Sequence, residues 1–169
     1  MHLLPLLPLF PLPPRPPFLP PANPSAKLAA VNLTHETTLR VRYAETDQWG
    51  VVYHSNFFIW FEVGRVELLR SLGFSYKDME EKDDSHTVVV EVQCKYEKPA
   101  KYDDLIRVKT WVAESRKRTL RFAYEVFNHE TGVLLARGET LHVICDGNGR
   151  PKALPEKYRA VIPITSASE

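Results

Sequence analysis

The sequence predicts an α+β domain in which a five-stranded antiparallel sheet wraps around one long buried helix. Three observations carry this expectation. Five segments alternate apolar and polar residues, the mark of strands with one buried face. One run beginning at Ser55 has helical length and is apolar on nearly every side. The elements come in the order strand, helix, four strands, and the last strands are joined by hairpin-length connections. A single all-round apolar helix needs a sheet to cover it, and one curled sheet suffices.

The chain is 169 residues long, which suits one domain. Ten of its 14 prolines lie at or before Pro24, and the first glycine is Gly50. A Pro/Leu head of this kind cannot form a helix, because each interior proline removes a donor and clashes with the preceding turn. Residues 1–36 are therefore expected to be a disordered proline-rich extension, and residues 37–165 the folded domain. A secretory signal is the alternative, but the head lacks a basic start and prolines interrupt its apolar run. A proline-rich ligand for a partner domain is a third reading.

From Thr37 to Glu45 the residues alternate. Leu39, Val41 and Tyr43 share one face, and Thr38, Arg40 and Arg42 the other. A polar turn, Thr46 to Gly50, leads to the short apolar run Val51-Val52-Tyr53. The helix then spans roughly 17 residues, with Ser55 or His54 as N-cap, Gly73 at the C′ position and Phe74 beyond. Residues Ser75 to Ser85 are polar and acidic, a loop or short helix. Thr87 to Tyr96 places Val88, Val90, Val92, Cys94 and Tyr96 on one face. Leu105 to Ser115 sets Ile106, Val108, Thr110 and Val112 against Arg107, Lys109 and Trp111. Leu120 to Asn128 sets Leu120, Phe122, Tyr124 and Val126 against Arg121, Ala123 and Glu125. A final strand runs from Leu134 to about Asp146 and ends at the turn Asp146-Gly147-Asn148-Gly149.

Charge excludes several functions. Lys and Arg total 22 against 21 Asp and Glu, and the expected domain is formally neutral. Nucleic-acid binding and attraction to anionic lipid both call for a basic excess. Every run of 18 apolar residues contains prolines, so no membrane span is expected. The two cysteines, Cys94 and Cys145, are too few for a disulfide scaffold and lack zinc-site spacing, so a reducing compartment, the cytoplasm, is expected. No His/Cys/Asp cluster has ligand spacing, and neither a metal nor another cofactor is expected.

The string Arg42-Tyr43-Ala44-Glu45-Thr46-Asp47-Gln48-Trp49-Gly50-Val51-Val52-Tyr53-His54-Ser55-Asn56-Phe57 resembles the signature of hotdog-fold acyl-CoA thioesterases. The type is that of 4-hydroxybenzoyl-CoA thioesterase and the Tol-Pal-associated bacterial enzymes. The matching parts are Thr-Asp, two spacers, Gly-Val-Val, Tyr-His, and Asn-aromatic opening the helix; Trp60-Phe61-Glu62 and Arg65 fit as well. The resemblance covers roughly Thr37 to Val161, and a long ordered string in the right structural context is specific.

The resemblance implies that Asp47 is the catalytic carboxylate, attacking the thioester carbonyl itself or activating a water. It implies an oxyanion hole at the main chain of about His54, where free N–H groups and the helix dipole converge. Asp47 alone would also read as a turn residue before Gly50, and His54 as a cap-region residue or one whose ring meets substrate or water. Tyr53, Asn56 and Phe57 are the candidate substrate-binding residues beside them. Tyr53 also reads as packing, and Asn56 as fixing the loop. Glu62 is expected to pair with Arg65 along the helix. Arg116, Lys117 and Arg118, at a hairpin tip, are candidates for the phosphates of coenzyme A, or simply a solvated turn. His86 and His142 are read as non-catalytic.

The implied activity is hydrolysis of an acyl-CoA, or of an acyl carrier protein thioester, with the chain assembled as a homodimer or homotetramer. A hotdog dehydratase is a competing reading, but such enzymes carry a His-Phe-Pro-Gly-type loop that is absent here. A non-catalytic acyl-CoA-binding module is another, and Asp47 speaks against it.

Overall fold

The computed structural model describes residues 34–162. Residues 1–33 and 163–169, and with them the expectation of a disordered head, lie outside the described residues.

Strand β1 covers Thr34–Arg40, helix α1 Asn56–Ser71 and helix α2 Tyr76–Asp83. Strands β2 to β5 follow, at His86–Tyr96, Leu105–Ser115, Thr119–Asn128 and Leu134–Cys145. A single turn of helix, α3, Glu156–Arg159, comes last. The strands form one antiparallel sheet in the order β1-β3-β4-β5-β2. The expected sheet around one helix is present. Among the described residues, no helix is long and apolar enough to cross a membrane.

Three elements differ from the sequence expectation. The first strand begins at Thr34, so residues 34–36 belong to the sheet and not to the head. It also stops at Arg40. Tyr43, expected on its buried face, lies in a 3-10 turn (Tyr43–Glu45), is 78% exposed and meets the Tyr102 ring edge-on at 5.6 Å. Strand β2 carries a bulge between Val89 and Glu91. Because side chains alternate with period two, one extra residue reverses the faces beyond it, so Val88, Val90 and Val92 do not form one buried row; all three are exposed. Helix α1 is also less enclosed than its apolar first half suggests. Phe57, Trp60, Phe61, Gly64, Leu68 and Leu69 are buried, whereas Phe58 and Ile59 face outward.

α1 lies across the sheet face made by Ile106, Val108 and Thr110, by Leu120, Phe122, Tyr124 and Val126, and by Ala136 and Ile144, all buried. Phe61 stacks on Tyr124 with centroids 4.3 Å apart and planes 11° from parallel. That stack needs Gly138 on β5, since a Cβ there would overlap the Phe61 ring. At its other end α1 closes with a Schellman pair: Phe74 N–H donates to the Leu69 carbonyl and Gly73 N–H to that of Arg70, both at 3.0 Å. The Ser75 hydroxyl then caps α2 by accepting from Asp78 N–H at 3.0 Å.

Candidate active site

The segment between β1 and α1 is held at its first residue, where Val41 N–H donates to the Asp104 carbonyl at 3.0 Å and Asp103 N–H donates back at 3.1 Å. After the 3-10 turn, Thr46 and Val52 bridge, and Asp47 N–H donates to the Val51 carbonyl at 2.8 Å. The hairpin tip is Asp47-Gln48-Trp49-Gly50. Gly50 N–H donates to the Asp47 carbonyl at 2.9 Å, and Gly50 takes φ +73°, a value that favours glycine. The Asp47 carboxylate contributes to this turn through Oδ1, which accepts the Trp49 N–H at 2.8 Å. Its Oδ2 has no hydrogen-bond partner among the described residues.

Asp47, Tyr53, His54 and Phe57 line one open groove of about 420 Å³, together with Val51, Val52 and the stretch Tyr96 to Pro99. Four of the sequence-predicted site residues therefore converge. The Tyr53 and His54 rings lie against each other with centroids 4.3 Å apart, and Phe57 packs on Trp60 and on Tyr96. The start of α1 is tightly wound. Asn56, Phe57 and Phe58 donate their N–H groups to the Tyr53, His54 and Ser55 carbonyls at 3.0, 3.3 and 3.1 Å. The hydroxyl of Ser55 makes no cap bond. The main-chain N–H groups of His54 and Ser55 have no acceptor among the described residues, which leaves two donors beside the groove at the positive end of the helix dipole.

The other candidates lie elsewhere. Asn56 is not part of the groove wall; its amide donates to the Glu45 carbonyl at 2.8 Å and ties the loop to α1. Arg116, Lys117 and Arg118 are exposed at the β3–β4 turn, where Arg116 pairs with Glu114 at 2.8 Å. The groove reaches β5 near Ala136, the partner of Tyr96, while the basic turn leads into Thr119, the partner of Val143. Seven residues of strand separate the two, roughly 23 Å, so one chain does not bring its basic turn to Asp47. Glu62 pairs with Arg65 at 3.3 Å as expected. His142 is fully buried in the core and away from the groove wall, consistent with a non-catalytic reading.

Sequence reasoning passed over three residues. Tyr96 donates its hydroxyl to the His54 carbonyl at 3.1 Å and so braces the turn that starts α1; burial and the neighbouring Cys94 push its own pKa up. Lys98 puts a cation in the groove wall. Glu45 is buried, and its carbonyl accepts from both Asn56 and Tyr53 N–H, the latter at 2.9 Å. For Glu45 a signal existed: a tryptophan in a buried helix, Trp60, needs an acceptor for its indole N–H.

Known proteins resemble this arrangement over most of the chain. YneP of Bacillus subtilis is 36% identical over 125 residues, covering 74% of this chain and 87% of that one. The acyl-CoA thioesterase YbgC of Haemophilus influenzae is 34% identical over 124 residues, covering 72% and 89%. Among solved structures, DHNA-CoA thioesterase from Staphylococcus aureus superposes with a TM-score of 0.69 at 38% identity, covering 72% of this chain and 80% of that one. Residues 41–162, from the end of β1 to the last described residue, match the family model of the thioesterase-like superfamily. With its strand order, its buried helix and its Asp47 loop, the chain belongs to that superfamily and has the hotdog fold.

Proposed function

We propose that the protein is an acyl-CoA thioesterase that hydrolyses the thioester to a free carboxylic acid and coenzyme A, with Asp47 as the reacting carboxylate. The observation that carries this is an Asp47 oxygen free of hydrogen bonds in the same groove as the start of α1, where two main-chain N–H groups lack acceptors. A carboxylate is anionic at neutral pH. It either attacks the carbonyl carbon, giving an anhydride that water then cleaves, or takes a proton from a water that attacks instead. In both routes the C–S bond breaks, sulfur leaves as the thiol after protonation, and one water is consumed. The oxyanion formed on the way is stabilised by His54 N–H and Ser55 N–H, in the manner of preorganised donors at a helix start. Phe57, Tyr53 and Tyr96 supply an apolar wall for the acyl group, and Lys98 a cation on the same wall.

The working form is proposed to be a homodimer or a tetramer of dimers. β2 is an edge strand with Val88, Val89, Val90 and Val92 exposed, and α1 turns Phe58 and Ile59 outward. An uncovered apolar edge is a template for pairing. Within one chain the basic turn Arg116–Arg118 stays at the far end of the sheet from Asp47, so a role at the phosphates of coenzyme A is proposed for it on another copy. The unpaired thiols Cys94 and Cys145 fit a reducing compartment, and the cytoplasm is the proposed location.

The test is thiol release from a panel of acyl-CoAs and acyl carrier protein thioesters of varied acyl chain, using wild type and Asp47→Asn. Turnover by wild type that the variant loses supports the reading. Tight binding of acyl-CoA with no thiol release from any substrate would refute it.

A further inference from the structure

One charged group beside the groove has no part in the chemistry above. Glu45 is 4% exposed, yet its carboxylate accepts the Arg42 main-chain N–H at 2.7 Å, the Arg42 guanidinium at 3.1 Å and the Trp60 indole N–H at 3.2 Å. Burial works to raise its pKa, but these bonds outweigh burial and hold the carboxyl below its ordinary value. With the two donors on its carbonyl, Glu45 gathers hydrogen bonds from Arg42, Tyr53, Asn56 and Trp60. These donors stand before the Asp47 hairpin, after it, and on the helix.

We propose that Glu45 is a positioning residue for the hydrolysis, fixing the Asp47 carboxylate relative to the first turn of α1. This rests on the thioesterase reading of the groove. The hairpin from Thr46 to Val52 is bonded mainly to itself: Asp47 N–H to the Val51 carbonyl, Gly50 N–H to the Asp47 carbonyl, Trp49 N–H to Oδ1. It therefore moves as a unit. Val52 N–H donates to the Ala100 carbonyl at 2.8 Å, which ties the hairpin to the segment before β3 and not to α1. Among the described residues, the hydrogen bonds from this segment to α1 and its approach run through Glu45, two residues ahead of Asp47.

Stability alone does not account for a carboxylate here. Desolvating a charge is costly unless it is well paired, and an apolar side chain of similar size is often as stable. The paired cation, Arg42, is 70% exposed and screened by solvent. What a carboxylate offers is two oxygens that accept from opposite sides, one bond reaching α1 at Trp60. Reacting groups displaced by about 1 Å lose on the order of 100-fold in rate, so a strut of this kind acts on kcat.

The experiment compares wild type, Glu45→Gln, Trp60→Phe and the double variant in thiol release, thermal melting and amide hydrogen exchange. Glutamine keeps the size but turns one acceptor into a donor. It is expected to lower kcat roughly 10- to 100-fold, with KM changed less than about 3-fold and the fold intact by circular dichroism. Trp60→Phe removes the other end of the same bond, so the double variant falls no further than the worse single one. A merely structural role would lower the melting temperature and leave kcat per folded molecule within about 2-fold of wild type, and that result overturns the proposal. If wild type releases no thiol from any substrate, the thioesterase reading fails, and hydrogen exchange decides on Glu45 separately. Faster exchange at residues 47–57 in Glu45→Gln, with β3 and β4 unchanged, supports the strut; equal exchange refutes it.

Discussion

On the proposed reading, Asp47 divides its carboxylate between two tasks. Oδ1 holds the hairpin through Trp49 N–H, and Oδ2 is left for the reaction. An asparagine can place its amide oxygen where Oδ1 stands, so Asp47→Asn is expected to fold normally. Loss of the anion should lower kcat by on the order of 100-fold or more, with kcat/KM falling by a similar factor, the mark of a group acting in the transition state. A variant that binds acyl-CoA and keeps most of its kcat would make Asp47 a turn residue only. Alanine would remove the turn bond as well and confuse the two roles. A second residue-scale expectation concerns His142. It is fully buried, its Nε2 lies 2.8 Å from the Thr140 hydroxyl, its Nδ1 has no hydrogen-bond partner among the described residues, and Phe122 meets its ring edge-on. Burial, helped by the Arg65 cation, lowers its pKa from 6.5 to about 4. The unfolded chain therefore takes up a proton first. Stability is lost as pH falls below about 6.5, and the loss is complete near pH 4, of order 3 kcal/mol. Denaturant unfolding of wild type and His142→Gln across this range checks it. Parallel curves would show that His142 does not contribute.

At the scale of elements, the contact of α1 with β5 depends on the Phe61–Tyr124 stack over Gly138. Gly138→Ala pushes a methyl into the Phe61 ring and should destabilise by about 1–3 kcal/mol, as overpacked cores do, measured by urea unfolding. A Cβ there would also press on the Gln93 carbonyl of β2, so a stability within 0.5 kcal/mol of wild type, roughly the noise level for surface changes, would mean that both α1 and the β2–β5 pairing give way. Strands β3, β4 and β5 were legible because most of their residues alternate between a face on α1 and a polar one, despite a register shift near the end of β3 and another near the end of β4. The end of β1 was not, because Val41 and Tyr43 continue a period of two after the sheet pairing stops at Arg40. Val41 is buried without sheet pairing and Tyr43 is exposed, so the alternation there continues by coincidence of residue type. The bulge at Val90 was hidden by three adjacent valines, which carry no polarity to mark a change of face. Asp47, Tyr53, His54 and Phe57 were legible as a site because they lie within eleven residues of one another. Tyr96 and Lys98 were not, since only the chain's return along β2 brings them to the groove.

For the whole molecule, the exposed edge of β2 sets the expected assembly. Light scattering should give a dimer or tetramer, and Val90→Lys, placing a charge on that edge, should shift it toward monomer and lower turnover. A fully active wild-type monomer would sink the dimer proposal. The groove itself hangs at one end of the sheet, walled by the Asp47 hairpin, the first turn of α1 and the exit from β2. Most of the large buried side chains, Phe122, Ile144, Leu154 and Ile162 among them, pack outside that wall. The molecule thus keeps its ballast and its cutting edge in separate places. If the groove holds the acyl chain as proposed, exchanging Val51, Tyr53, Lys98 and Pro99 is expected to alter which acyl chain fits while the rest of the domain stays folded, which makes the scaffold a candidate for retargeting by changing a handful of positions along one rim.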